Sequence, residues 1–201
     1  MPDHYYTSEP ASGHRPAECQ TRIFGRTFEF TTDAGVFSRG ELDPGSRLLI
    51  ESAGPLNGRA LDLGCGWGAV GIILAYANPG ARLLLTDVNR RALSLARGNI
   101  ARNAIKNADV LESDGFLSVE GVFDAIITNP PIRAGKAVIY GWFQTAHERL
   151  VPGGTLTVVI RKQQGAPSAQ RHIAEIFGNA EIAARDGGYW IIRSVKEDGY
   201  E

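Results

Sequence analysis

The sequence predicts an α/β fold, a mostly parallel sheet covered by helices on both faces, on three observations. From Arg59 onward, short apolar runs of strand length alternate with segments of helical periodicity. The first of these strands hands over to a helix through a glycine-rich turn. The last two strands are joined only by "DGG" (186–188), too short for a crossover, so they form an antiparallel hairpin at the sheet edge.

Residues 1 to about 20 read as an irregular polar arm, and "RTFEFTTDAGVFS" (26–38) as one short strand followed by a glycine-containing turn. "RALDL" (59–63) is a buried strand, and "GCGWGAVGIILAYANPG" (64–80) a turn feeding a helix that Asn78-Pro79-Gly80 ends. Next come "ARLLLTD" as strand, "NRRALSLARGNIARNA" as amphipathic helix, and "ADVLES" and "FDAIITN" as strands. A helix over roughly 136–150 closes at "VPGG"; "TLTVVIRK" is a strand, a helix lies near 168–178, and "AEIAAR" and "GYWIIRSV" are the closing strands. The charged helix face with Arg90, Arg91, Arg97 and Arg102 reads as solvated. An N-terminal segment, 1–57, carrying the arm and a short strand/helix stretch, is expected to pack on a main domain of 58–201.

With 201 residues, 43% of them hydrophobic, the chain can bury a sizeable core as one compact domain. A formal net charge of -1 provides no overall basic field, which neither demonstrates nor excludes a nucleic-acid partner. Cys19 and Cys65 have no metal-ligand spacing and are too few for a disulfide framework, so a reducing cytoplasm is the expected location. His4, His14, His147 and His172 are scattered, and no metal site is expected. The N-terminus has no apolar signal region and no run of eighteen apolar residues occurs, so secretion and membrane insertion are not expected.

"LDLGCGWG" (61–68) lies where an open α/β sheet binds ligands, with Gly64, Gly66 and Gly68 allowing close backbone approach. Gly66-Trp-Gly68-Ala-Val-Gly71, followed by Asp87, also matches the dinucleotide fingerprint. That match begins two residues late. Asp62 just before the turn repels a pyrophosphate but suits a cationic amino group, so a ligand with an adenosine and an amino-acid end fits better. Asp87 ends the second strand, where it can accept both ribose hydroxyls, or cap the following helix. Asp114 in "ESDGF" can accept an adenine amino group, with Phe116 packing nearby, or simply form an Asp-Gly turn.

"ITNPPIRAGK" (127–136) halts a strand with two residues that donate no backbone hydrogen bond. Pro130 holds Asn129 extended, and the Asn129 Oδ1 and Pro130 carbonyl become a rigid pair of acceptors for the two hydrogens of an exocyclic amine or amide. A plain stop to an aggregation-prone edge is the alternative.

Together these residues resemble the class I S-adenosylmethionine-dependent methyltransferases, in the small-domain group related to ribosomal RNA guanine-N2 methyltransferases. "HYYTSEP", "DAGVFSRGELDPGSRLLIE", "NPPIRAGK" and "RKQQGAPS" look like this group too. The resemblance implies a Rossmann-like seven-stranded sheet with an antiparallel last strand, and S-adenosyl-L-methionine as cofactor. It implies a cofactor site of Asp62, Gly64, Cys65, Gly66, Gly68, Asp87, Val88, Asp114, Gly115, Phe116 and Asn129. Its catalytic motif falls on Asn129, Pro130, Pro131 and Ile132, and its substrate on N2 of a guanine in ribosomal RNA. A glutamine side chain, a small amine, or a non-catalytic binding role are the open alternatives. Phe37 and the Tyr5-Tyr6 pair are candidates to cover cofactor or base, and Arg133, Lys136, Arg161 and Lys162 to meet phosphates. Two departures stand out. Ile132 replaces the aromatic residue usual in such motifs, and the chain is expected to lack the second, RNA-holding domain of the known ribosomal enzymes.

Overall fold

The computed structural model describes residues 12–197. An N-terminal hairpin of β1 (Ala17–Ile23) and β2 (Arg26–Thr32) precedes α1 (Pro44–Ser52). There follow β3 (Arg59–Leu63), α2 (Ala69–Ala77), β4 (Arg82–Asp87), α3 (Arg90–Arg102), β5 (Ala108–Glu112) and β6 (Phe123–Thr128). The chain ends with α4 (Lys136–Arg149), β7 (Leu150–Arg161), α5 (Ala166–Phe177), β8 (Glu181–Asp186) and β9 (Tyr189–Val195). The main sheet has seven strands in the order β5-β4-β3-β6-β7-β9-β8, with β9 antiparallel to both neighbours and the other pairs parallel. The chain therefore winds outward from β3 to β5, then crosses back to β6. That reversal opens a crevice between the ends of β3 and β6, the place where such sheets bind ligands.

Two hydrophobic layers sandwich the sheet. Phe28, Leu49, Ile72 and Leu93 belong to one, with the hairpin and α1 to α3; Ile139, Phe143, Ile173 and Phe177 belong to the other, with α4 and α5. Strand alternation sets this up: in β7, Leu156, Val158 and Ile160 join the second layer while Val159 joins the first. Helix α2 is buried from Ala69 through Ala75 because it lies across the sheet centre. It rests there closely, since a Cβ at Gly71 would stand 2.6 Å from Leu85 Cγ. Gly71→Ala is expected to overpack this contact and destabilise the fold by about 1–3 kcal/mol in denaturant titration.

The structure corrects three readings. The irregular arm ends sooner than expected, because β1 begins at Ala17 and pairs along its length with β2. The turn uses Phe24 and Gly25, both at positive φ, and a Phe-Gly pair is not a usual hairpin signal. The hairpin docks through the side-chain amides of Asn99 and Asn103, one helical turn apart on α3. They accept from the backbone N–H of Thr31 (2.8 Å) and Glu29 (3.1 Å) and donate to the carbonyls of the same residues. Nor is the arginine face of α3 simply solvated. Arg91 donates to the carbonyls of Ala34 and Ser12, Arg102 pairs with Glu18, and Arg90 pairs with Glu112. Finally, Asn89 rather than Asp87 caps α3, accepting from Ala92 N–H.

Candidate active site

The floor of the crevice is the turn from β3 to α2. Gly64 and Cys65 both donate their N–H to the Thr86 carbonyl at 2.8 Å, which folds the chain over the end of β4. Gly64, Gly66 and Gly68 all have positive φ, a conformation that side chains resist. Gly64 and Gly66 line the cavity; Gly68 does not, and instead lets α2 start against Ala96, 3.1 Å from where a Cβ would be.

Two carboxylates hold this turn. Asp62, 2% exposed, accepts the Gly71 N–H at 2.8 Å. Burial pushes its carboxyl up to about 7, against that hydrogen bond and with the Asp87 charge adding to the rise. Asp87 takes the Gly66 N–H at 2.8 Å on one oxygen and the Asn89 N–H at 2.9 Å on the other. A carboxylate has about four acceptor positions, so beside the Gly66, Asn89 and Val88 amides one is left open. Burial raises its carboxyl as well, opposed by the amides of Asn89, Gly66 and Val88. Between them the buried Cys65 thiol is driven well above its ordinary value by burial and by both carboxylates, so it stays protonated and is no nucleophile.

A second wall comes from β5 and α4. Ser113, Asp114 and Gly115 line the cavity, and the Ser113 hydroxyl ties the turn by donating to the Gly115 carbonyl and accepting the Ser118 N–H. Trp142 closes this side, with its ring 3.7 Å from a would-be Cβ on Gly64 and its Nε1 2.5 Å from one on Gly115. Val88 lines the cavity and Phe37 stands at its rim, 37% exposed. Phe116 turns the other way, into the hydrophobic layer beneath α4.

The third wall is the Asn-Pro-Pro turn facing the start of α1. Asn129, Pro130 and Pro131 line the cavity together with Asp43 and Ser46. Asn129 Nδ2 donates to Ser46 Oγ at 2.9 Å and stands 3.4 Å from Asp43 Oδ2. Its Oδ1 accepts no hydrogen bond among the described residues. Asp43 is the N-cap of α1, taking the Ser46 N–H. Ile132 and Lys136 sit elsewhere, lining a separate cleft with Ile139, Tyr140 and Ile160, and the Lys136 ammonium lies 4.8 Å from the Tyr140 ring centre. Arg133 is exposed on the 3-10 turn Ile132–Ala134. Arg161 is exposed at the end of β7 but donates to the Tyr189 hydroxyl at 2.6 Å, and Lys162 is exposed just beyond it. Tyr5 and Tyr6 lie outside the described residues.

Sequence reasoning thus missed Asp43, Ser46, Trp142 and Tyr189. "LDPGS" does carry a helix-start signature, an N-cap Asp followed by Pro, which marks the position but not the partner.

The cavity holds four aspartates, Asp43, Asp62, Asp87 and Asp114, and no Lys, Arg or His among the described lining residues. Four carboxylates around the turn repel a pyrophosphate, which counts against the dinucleotide match. The Gly71 of that match serves helix packing instead. A cationic ligand with hydroxyls and a flat apolar part suits both the carboxylates and the Phe37, Val88 and Trp142 surfaces. Among the described residues no group of three His, Cys, Asp or Glu could hold a metal, and no helix is long and apolar enough to cross a membrane.

Comparison with known proteins agrees with this chemistry. The methyltransferase small domain family matches residues 27–193. A Bacillus subtilis protein, YbxB, of uncharacterized function, is 40% identical over 200 residues, covering 98% of this chain and all of that one. Ribosomal RNA small subunit methyltransferase C of Erwinia tasmaniensis is 36% identical over 167 residues, 81% of this chain and 48% of its own. The solved structure of T. thermophilus 16S rRNA N2 G1207 methyltransferase, in complex with AdoMet and guanosine, superposes with a TM-score of 0.80 at 29% identity. It covers 90% of this chain and 51% of that one, so the chain spans about half the length of these ribosomal RNA enzymes. With the acid-lined crevice at the head of a seven-stranded sheet and a family match over most of its length, the chain belongs to the methyltransferase small domain family, class I methyltransferases that use S-adenosylmethionine.

Proposed function

We propose that this enzyme methylates the exocyclic N2 amine of a guanine in ribosomal RNA. The observation that carries the reading is the Asn129 amide: its nitrogen is tied to Ser46, and its oxygen, beside Pro130 on the cavity wall, is left to accept. The names of the relatives add the nucleic-acid class, and the guanosine bound by the T. thermophilus enzyme adds the base.

Bound S-adenosylmethionine supplies an electrophilic methyl group on a sulfonium and is left as the neutral thioether. Asp87 would hold the ribose hydroxyls of this cofactor. Asp62 and the Gly64–Gly66 turn would face its amino-acid end, and Asp114, Gly115 and Trp142 its adenine. Asn129 Oδ1 and the Pro130 carbonyl would accept the two N–H groups of the incoming amine. Such a nitrogen is a poor nucleophile because its lone pair is delocalised into the ring; two acceptors draw it toward a pyramidal shape with the lone pair directed outward. Alignment is the main contribution asked of the protein. The proton leaves readily once the nitrogen becomes cationic, so no strong base is needed. The base enters unpaired or flipped from its stack, past Phe37, while Arg133, Lys136 and Lys162 lie on exposed ground where phosphates can pass.

The Asp62 carboxyl makes cofactor affinity depend on pH. It is largely protonated at pH 6 and ionised at pH 8, and only the ionised form attracts an ammonium group. The dissociation constant for S-adenosylmethionine, measured by calorimetry, is expected to fall by up to about tenfold between pH 6 and 8. The free protein changes in the opposite sense. A folded value near 7 lies above the ordinary 3.8, so this group's stabilising contribution is full below about pH 4 and is lost as pH rises toward 7.

Transfer of tritiated methyl groups to ribosomes, RNA and protein together, from cells lacking the gene tests the substrate. Label recovered as N2-methylguanosine is the expected result. Label found only in ribosomal protein, on glutamine, would overturn the RNA assignment while leaving the chemistry of Asn129 in place.

A further inference from the structure

An asparagine amide is nearly symmetric in shape and its outer torsion is broadly two-fold, so packing alone does not decide whether oxygen or nitrogen faces a substrate. For an acceptor the difference decides function. Turned over, Asn129 would present N–H groups to the N–H groups of an amine. Ser46 cannot settle the matter, because a hydroxyl either donates or accepts. Asp43 can. An ionised carboxylate only accepts, and its Oδ2, which already takes the Ser46 N–H at 2.9 Å, stands 3.4 Å from Asn129 Nδ2. At that separation the effect is one of charge direction more than of bond strength, the shorter bond being the 2.9 Å one to Ser46 Oγ.

The carboxylate is itself held. Tyr189 donates its hydroxyl to Asp43 Oδ1 at 3.0 Å and accepts from Arg161 at 2.6 Å. Arg161 and Tyr189 face each other in the β7–β9 ladder, and the guanidinium lies 4.5 Å from the Tyr189 ring centre. Gly45 lets α1 rest on that ring, since a Cβ there would stand 2.5 Å from Tyr189 Cε1. Thus β9, braced by Arg161 of β7, holds Asp43 Oδ1 through Tyr189, while Oδ2, which takes the Ser46 N–H of α1, faces the Asn129 nitrogen.

We infer that Asp43, seated by Tyr189 and Arg161, is a positioning residue that fixes the polarity of the Asn129 amide, keeping Oδ1 toward the amine of the acceptor. This rests on the reading of Asn129 given above. It assigns a role to the N-terminal segment, which supplies the polarity of a catalytic amide carried by the sheet.

The test uses the full-length protein with ribosomal RNA from cells lacking the gene as acceptor. Asp43→Ala is expected to lower kcat at least about tenfold, with KM for RNA and Kd for S-adenosylmethionine changed less than about threefold. Asp43→Asn, which can still place an oxygen at that corner, should recover the larger part of the loss. A readout independent of turnover is the Asn129 side-chain NH2 pair in ¹H–¹⁵N spectra, assigned by its absence from Asn129→Ala. In the unmodified protein one proton of the pair should exchange slowly, and Asp43→Ala and Tyr189→Phe should both speed that exchange. Should Asp43→Ala not fold, Tyr189→Phe answers the same question, because it leaves the α1 cap intact. If Asn129→Ala is inactive but Asp43→Ala or Tyr189→Phe keeps wild-type kcat and unchanged amide exchange, the inference fails and the reading of Asn129 survives. If Asn129→Ala turns over normally, that reading fails first. A loss of kcat matched by an equal loss of cofactor affinity, and not recovered by Asp43→Asn, would mark a folding role and overturn the inference.

Discussion

Asn129→Ala is expected to lower methyl transfer by about 10²–10³-fold or more at saturating RNA and cofactor, while Kd for S-adenosylmethionine changes less than about threefold. The asymmetry follows from the geometry. Asn129 touches the cavity at the Pro130 side, bonded to Ser46, whereas the turn that would hold the cofactor is organised by Asp62 and Asp87 through Gly71, Gly66 and Asn89. In the proposed role of Asn129, removing the amide would take away one of two acceptors for the amine and leave those bonds in place. Single-turnover kinetics with labelled cofactor separates the two effects; unchanged transfer in this variant would reject Asn129 as the amine acceptor.

Asp87→Ala is expected to do the reverse, weakening S-adenosylmethionine binding by about 10²-fold or more, since hydrogen bonds to a charged group contribute roughly 1.5–3 kcal/mol each. The free protein should tolerate the change better than the complex. Its carboxylate is costly to bury, as the raised pKa records, and its loss returns part of that cost while releasing the Gly66 and Asn89 amides. Calorimetric titration should show the affinity loss, and Asp87→Asn, which keeps one acceptor oxygen, should fall between. Equal affinity in Asp87→Ala and the unmodified protein would place the ribose elsewhere.

The catalytic sheet was legible in the sequence because its signals are local. Three alternate glycines after "RALDL", an Asp closing "LLLTD" and two prolines after "FDAIITN" each fix a backbone event within a few residues, and the structure has a turn or strand end at each. The antiparallel finish was equally local, since Gly187 and Gly188 leave no room for a crossover. What escaped notice depends on distant partners. Ser46 meets Asn129 across 83 positions and Tyr189 meets Asp43 across 146, and no spacing rule links such pairs. Trp142 sits on a helix of weak amphipathicity, and its role appears only once Gly64 and Gly115 are brought beneath its ring. Directions were harder to read than positions. Phe116 and Ile132 adjoin site residues in sequence, yet both side chains leave the main cavity: residues 113–115 and 129–131 line it, and the next residue of each turn packs into the hydrophobic layer with α4 and α5.

One comparison of modified nucleosides tests the proposed substrate and the role of Asn129 together. Ribosomal RNA of each subunit is purified from cells carrying the gene, lacking it, or carrying Asn129→Ala, and digested for mass spectrometry. The predicted result is an N2-methylguanosine signal that disappears from one RNA both when the gene is lost and when only Asn129 is changed. Nucleoside profiles that are the same in all three strains would contradict it.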